Sequence, residues 1–174
     1  MSSEAPSNEA QLWSAWRRAA ATLAVDGALR GLYAELDAAV AAKGPTCWAS
    51  GRCCKFDDFG HRLYVTGLEV AWFLEQIRSA PLDAPGAEPS GGIRLPQAAE
   101  HPGACPYQID GLCSTHAVRP LGCRIFFCQR GTDVWQQDLY ESFLERLRAL
   151  HVHHGLEYRY LDWIAGLAQE AALR

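Results

Sequence analysis

The sequence lacks the features that mark membrane and secreted proteins. Its 174 residues contain no run of 18 apolar residues, so we expect no membrane-spanning helix. The first ten residues are polar and acidic, without the basic start or the apolar stretch of a signal peptide. These absences predict a cytoplasmic protein that does not bind membranes.

A surplus of basic charge is also missing. Lys and Arg number 16 against 20 Asp and Glu, which gives a net charge of −4. Nucleic-acid binding requires a basic patch, so no nucleic-acid partner is expected. No glycine-rich nucleotide-binding signature and no Gly-x-Ser-x-Gly motif is present. Catalytic residues therefore cannot be assigned from motifs, and whether the protein is an enzyme stays open.

Cysteine is absent from most of the chain, because all seven cysteines fall in two segments. These are Cys47, Cys53 and Cys54 in the first segment, and Cys105, Cys113, Cys123 and Cys128 in the second. In a reducing compartment, clustered cysteines are more often metal ligands or reactive thiols than disulfides. A metal compensates thiolate charge and stabilises loop-rich segments such as these. The sequence therefore predicts a thiolate metal site with all seven cysteines as candidate ligands.

The rest of the chain has helical periodicity. Apolar spacing predicts helices over residues 9–43, with a break at Asp26-Gly27 and an end at Gly44-Pro45. Thr66 and Glu69 form a capping box that begins a helix running to about Ala80. Most of the six tryptophans lie on apolar helix faces and are predicted to be core residues, whereas Trp48 is predicted to shield the cysteine site from water.

The second half combines loops, a hairpin and two helices. Residues 81–104 read as a surface loop containing a short strand at 93–95, and Asp110-Gly111 predicts a hairpin turn. Residues 124–127 read as extended. Helices are predicted from Thr132 or Asp133 to Gly155, and from about 161 to 172.

These patterns predict a mainly α fold, with helices packed around an irregular cysteine-rich metal-binding centre and minor short β pairing. Residues 1–8 are expected to be disordered, and residues 9–174 to form one domain. Within that domain we distinguish a helical extension (9–43), a cysteine-cluster core (46–130) and C-terminal helices (132–174).

Cysteine spacing alone does not identify the metal. Paired C-x2-C knuckles, which are typical of zinc fingers and of ferredoxins, are absent. Adjacent cysteines in an extended chain point to opposite sides, so Cys53 and Cys54 are not expected to chelate one ion. Seven thiols then divide most simply into four and three. His116 is the best further ligand, and His61 and His101 are weaker candidates.

The cysteine segments resemble the bacterial cysteine-cluster proteins of YkgJ type, also called CxxCxxCC proteins, which are described as zinc- or iron-chelating domains. The family pattern runs C-x2-C-G-x-C-C, then C-P, G-x-C-S, R-P and C-R-x-F-x-C. The matching positions are Cys47, Gly51, Cys53, Cys54, Cys105, Pro106, Gly111, Cys113, Ser114, Arg119, Pro120, Cys123, Arg124, Phe126 and Cys128. The family's second cysteine is replaced here by Ser50, which predicts a centre that has lost one thiolate.

Three functions follow as expectations. The resemblance favours an iron–sulfur protein of redox or methyltransferase-related function, because related clusters occur in flagellin lysine N-methylases. The alternatives are a structural zinc module that binds a protein partner, and a metal carrier or sensor that uses the position weakened at Ser50. A reactive thiol at Cys53 or Cys54 also stays open.

Overall fold

The computed structural model describes residues 7–80 and 103–173, and this part of the chain is mainly helical. The helices are α1 (Asn8–Ala20), α2 (Leu23–Lys43), α3 (Phe56–Phe59), α4 (Gly67–Ser79), α5 (Leu121–Ile125), α6 (Asp133–His153) and α7 (Trp163–Ala172). The strands are β1 (Tyr64–Thr66), β2 (Gln108–Ile109), β3 (Leu112–Cys113) and β4 (Tyr160–Asp162). Short 3-10 turns occupy Arg52–Cys54 and His116–Val118.

Three expectations lie wholly or largely outside the described residues. These are the disorder of residues 1–8, the surface loop over 81–104 and the strand at 93–95. Residues 7 and 8 are described, and the disorder predicted for them is wrong, because Ser7 caps α1 and Asn8 begins it. His101 also lies outside the described ranges. Within those ranges, no helix is both long enough and apolar enough to cross a membrane.

The boundary between α1 and α2 lies at Ala21 and Thr22, before the break predicted at Asp26-Gly27. Thr22 caps α2, and its hydroxyl accepts a hydrogen bond from Val25 N at 3.3 Å. Asp26 and Gly27 lie inside the helix, so the predicted break there is wrong. A threonine cap satisfies a free helical N–H, whereas a single glycine inside a helix costs only about 1 kcal/mol. The predicted end is confirmed by Gly44, which has φ = 61°.

The capping box at the start of α4 is confirmed. Glu69 N donates to the Thr66 hydroxyl at 3.2 Å, and Thr66 N donates to the Glu69 carboxylate at 2.8 Å. Thr66 also ends β1, which pairs with β4 in antiparallel register, Val65 opposite Leu161. This pairing joins residues almost a hundred positions apart, and the sequence did not predict it.

The core lies among α1, α2, α4, α6 and α7. Trp13, Trp16, Trp72 and Trp163 are fully buried, as the periodicity predicted for the core tryptophans. α1 packs closely on α4, because Gly67 leaves space for the Trp16 ring. A Cβ atom at Gly67 would lie 2.1 Å from that ring. The Trp16 indole N–H donates to the Glu157 carbonyl at 2.9 Å.

The segment after Pro120 is helical rather than extended. Residues 121–125 form α5, so the extended conformation predicted for 124–127 is wrong at Arg124 and Ile125, whereas Phe126 after the helix is extended, with φ −74° and ψ 119°. Leu121 N, at the first position of α5, donates to the buried Glu69 carboxylate at 2.9 Å. The cap of this helix therefore comes from α4, a long-range contact that a local pattern does not reveal.

Candidate functional site

The two cysteine segments meet through backbone hydrogen bonds. Cys105 N donates to the Cys54 carbonyl at 2.7 Å. Gln108 is a buried residue of β2, and its side-chain Nε2 donates to the Gly51 carbonyl at 2.8 Å. β2 and β3 form the predicted Asp110-Gly111 hairpin, with both turn residues at positive φ (53° and 74°). The hairpin thus positions the second segment against the first.

All seven cysteines line one cavity of about 360 Å³, which we name the cysteine cavity. Its wall also includes Ser50, His116, Arg119 and Trp163. The sequence identified all of these except Trp163, which comes from α7 and has no local signal linking it to the cysteines. The predicted convergence of the two segments is therefore present in the fold.

Cys54 lies at the centre of a group of thiols. The 3-10 turn over 52–54 brings the sulfurs of Cys53 and Cys54 to 4.0 Å, so the expected divergence of an extended chain does not occur. The Cys54 thiol also interacts with those of Cys105 and Cys113. Cys54 and Cys105 are buried, at 7% and 8% exposure.

This arrangement separates the thiols by acidity. Interactions with the neighbouring thiols of Cys105, Cys113 and Cys53 raise the pKa of Cys54. The interaction with Cys54 lowers the pKa of Cys113 to about 6, with smaller contributions from Thr115 and Arg119. The interaction with Cys54 also lowers the pKa of Cys53 to about 7. Cys54 therefore keeps its proton to higher pH than Cys53 and Cys113, whose thiolate forms are favoured.

The other cysteines occupy different environments. Cys123 is carried by α5, and burial raises the pKa of its thiol. Cys47 and Cys53 are exposed, and Cys128 is half-buried. Trp48 lines the cavity with a ring that is 61% exposed, and its role in shielding the site from water stays a prediction. It lies in a loop without regular structure, where no neighbouring helix covers the ring.

Arg119 holds the backbone around the site. Its guanidinium donates to the His116 carbonyl at 3.0 Å and to the Cys123 carbonyl at 3.1 Å. Arg124, which is buried, donates to the carbonyls of Arg119 and Ala117. The two arginines therefore fix the chain between β3 and α5 and place positive charge beside the thiols.

Charge is unevenly distributed between the cysteine segments and the rest of the chain. Residues 44–62 and 103–131 hold six basic and three acidic side chains, a net charge of +3. The remaining residues hold ten basic and seventeen acidic side chains, a net charge of −7. A positive environment stabilises thiolates, so the local charge balance suits an anionic sulfur-rich site.

The histidine candidates differ in placement. His116 lines the cavity, and burial together with Arg119 lowers the pKa of its imidazole, which favours the neutral form that can bind a metal. His61 Nε2 lies 3.3 Å from the Cys53 carbonyl, and its ring stacks on Phe126. His61 is not part of the cavity wall.

Among residues 7–80 and 103–173, no group of three or more His, Cys, Asp or Glu side chains is arranged to hold an ion. The chemistry of the cavity nevertheless suits sulfur ligation. The buried Trp163 indole N–H has no hydrogen-bond partner in the described part of the chain. It lies beside Cys105, whose pKa is lowered first by the Cys54 thiol and then, against the opposing effect of burial, by the Tyr107 backbone and this indole. Such a donor stabilises a thiolate or a sulfide.

No family model matches the chain, and neither a curated protein nor a solved structure is significantly similar to it. The resemblance to the YkgJ-type proteins therefore stays a prediction from the motif positions.

Proposed function

We propose that the cysteine cavity is a thiolate metal centre and that its occupant is an iron–sulfur cluster. The observation that carries the proposal is the convergence of all seven cysteines on one cavity from two separate segments. The candidate ligands are Cys47, Cys53, Cys54, Cys105, Cys113, Cys123 and Cys128. All seven cysteines are free, and those that become thiolates in this partly buried site need a compensating charge, which a metal supplies.

The size of the cavity favours a cluster over one ion. Its volume of about 360 Å³ is far larger than a single metal ion and falls in the range of small-molecule sites. The Trp163 indole N–H and the net positive cysteine segments supply the hydrogen-bond donor and charge that tune such clusters. When bound, the cluster would supply one-electron transfer, and this chain's residues would hold it and set its environment.

A single zinc ion is the second candidate, and one observation favours it. The sulfurs of Cys53 and Cys54 lie 4.0 Å apart, Cys105 is hydrogen-bonded to the Cys54 backbone, and the Cys113 thiol interacts with Cys54, so four cysteines are neighbours although their side chains are not arranged around an ion. Four thiolates are the donor set of a closed structural zinc site. On this alternative, the remaining three cysteines would line the cavity without binding the ion.

Anaerobic purification followed by metal and sulfide analysis distinguishes the two candidates. The iron–sulfur proposal predicts a brown protein with iron, acid-labile sulfide and thiolate-to-iron charge-transfer absorption. A colourless protein that contains one zinc per chain and no sulfide would overturn it in favour of the structural site. A chain that contains neither metal after anaerobic purification would refute both.

Ser50 offers a sharper comparison, because this serine lines the cysteine cavity at the position where the related pattern has a cysteine. Ser50→Cys adds a soft ligand to the wall, so we expect more metal bound per chain and slower loss to a chelator. Ser142→Cys, at an exposed position of α6, is the matched control and should change neither quantity. Equal metal content in both variants would mean that position 50 does not face the centre.

A further inference from the structure

A second cavity adjoins the cysteine cavity. Its volume is about 350 Å³, and it lies among β1, β4, the start of α6 and the segment around α5. Four residues belong to the walls of both cavities, namely Cys53, Phe56, Cys123 and Phe126. Only these shared side chains would therefore separate a molecule in the second cavity from the cysteine cavity.

Aromatic rings dominate the wall of this second cavity. Tyr64 and Tyr160 stack with their centroids 5.5 Å apart, and His61 stacks on Phe126 at 5.3 Å. Tyr140 contributes a further ring from α6. Three of these rings stay substantially open to solvent, with exposures of 47% for Tyr64, 43% for Phe126 and 37% for Tyr160. Exposed ring faces around a concavity provide stacking surface for a planar ligand.

The charges around the second cavity are largely balanced. Arg62 pairs with Asp57 at 3.3 Å, so its guanidinium is not a free anion receptor. Asp133 lies in the first turn of α6, where the helix dipole offsets its carboxylate. An anionic ligand would meet Asp133 and a cationic ligand would meet Arg62. The wall therefore favours an uncharged ligand.

Hydrogen-bonding groups are available at the same wall. The hydroxyls of Tyr64, Tyr140 and Tyr160 make no hydrogen bond within the described part of the chain. Burial raises the pKa of Tyr160 to about 12, so its hydroxyl stays protonated at neutral pH. Gln136 is occupied by the Phe127 backbone, whereas the Gln137 carbonyl oxygen accepts no hydrogen bond from the described residues. The tyrosine hydroxyls and Gln137 can thus bind a polar substituent on a ring.

From the aromatic rings, the balanced charges and the tyrosine hydroxyls that have no partner among the described residues, we infer that the second cavity is a ligand-binding site. Its ligands are small, uncharged, planar aromatic molecules that carry a hydroxyl group or a ring nitrogen. Such a ligand stacks on the tyrosine rings and lies against the wall shared with Cys53 and Cys123. The described protein side chains alone form the cavity, but four of them also line the cysteine cavity, so metal content is measured together with ligand binding.

Three probes of one ring size separate the ligand classes: phenol, benzoate and benzylamine. Each is titrated into the full-length protein, and binding is followed by amide chemical shifts. We expect phenol to bind at least about tenfold more tightly than the two charged probes. Its shift changes should centre on residues 61–64, 122–126 and 133–140. Equal affinities for all three probes, or no saturable phenol binding, would overturn the inference.

Two variants of α6 provide the matched test. Gln137→Trp places a bulky ring at the exposed rim of the second cavity and should weaken phenol binding at least about tenfold. Val152→Trp makes a comparable change at a position that is 80% exposed and remote from the cavity, and should leave binding unchanged. Unchanged binding in Gln137→Trp would also overturn the inference. Metal content, measured on the same samples, reports on the cysteine cavity separately.

Discussion

The helical shell and the cysteine segments are stabilised by different interactions. The shell of α1, α2, α4, α6 and α7 buries four tryptophans and begins several of its helices with side-chain caps. The cysteine segments contain two-residue strands, single turns and an exposed Trp48. A core of this kind is stable through apolar burial, whereas short turns need a further cross-link. We therefore expect the shell to fold without the proposed metal, and the cysteine segments to become more ordered when it is bound.

Glu69 connects the two regions. Its buried carboxylate accepts hydrogen bonds from Thr66 N and Tyr33 Oη in the shell, and from Leu121 N at the start of α5. α5 carries Cys123, so this contact ties a cysteine of the cavity wall to the helical shell. Substitutions in the shell, in the cysteine segments and at this connection should therefore give distinguishable results.

The largest expected effect is the loss of metal in Cys54→Ala. This change removes the thiol that interacts with three others, so we expect most bound metal to be lost while the far-ultraviolet circular dichroism stays mainly helical. Cys47→Ala, at an exposed thiol of the same cavity, should lose less. If Cys54→Ala kept its full metal content, the claim that the centre requires Cys54 as a ligand would be contradicted.

Trp16→Ala should have the largest effect on stability. Trp16 is fully buried, packs edge-on against Trp13 at 5.0 Å and donates to Glu157. Its truncation should lower the free energy of unfolding by about 3–5 kcal/mol. The control is Trp48→Ala, which removes the same side chain from an exposed position and should cost less than about 0.5 kcal/mol. Chemical denaturation measures the free energy of unfolding of both variants. Similar losses in the two would contradict the claim that apolar burial stabilises the helical shell more than the cysteine segments.

Glu69→Gln tests the connection between the regions. The glutamine amide keeps the shape of the side chain. Its NH2 group, however, faces N–H and O–H donors that in the wild-type protein donate to a carboxylate oxygen. We expect the free energy of unfolding to fall by about 1–3 kcal/mol, with faster hydrogen exchange around α5. Glu145→Gln, on the exposed face of α6, is the control and should change stability little. Unchanged exchange in α5 would show that Glu69 does not hold this helix.

The smallest expected effect concerns thiol reactivity in the metal-free protein. Hydrogen bonding from Cys54 is the main cause of the low pKa of Cys113, about 6, and Arg119 contributes less. Alkylation of Cys113 should therefore rise with pH to a midpoint near that pKa. Arg119→Gln removes a positive charge, so the midpoint should move up by about half a pH unit. Arg130→Gln serves as control, and a downward shift in Arg119→Gln would contradict the electrostatic account.

The sequence predicted the elements that depend on local signals. The Thr66–Glu69 capping box, the Asp110-Gly111 hairpin and the end of α2 at Gly44 are all confirmed. Each results from contacts between residues close in sequence, which a local pattern records directly. The candidate site was located by the same means, because the cysteines mark their own segments.

Contacts between distant residues explain what the sequence did not predict. The β1–β4 pairing joins Tyr64 to Asp162, and α5 begins where Glu69 of another helix caps it. The position of Trp163 in the cavity wall follows from that packing. Likewise, Cys53 and Cys54 come together because the chain there turns, a conformation that adjacent cysteines do not reveal.

The most direct test of the central claim is a cysteine-by-cysteine alkylation experiment on anaerobically purified protein, before and after metal removal. If both segments bind one centre, metal should protect cysteines of both segments, including Cys54 and Cys113, and chelation should expose them together. Mass spectrometry of the labelled peptides reads each position separately. Protection confined to one segment, or reactivity that metal removal does not change, would contradict the claim that the two segments form a single metal centre.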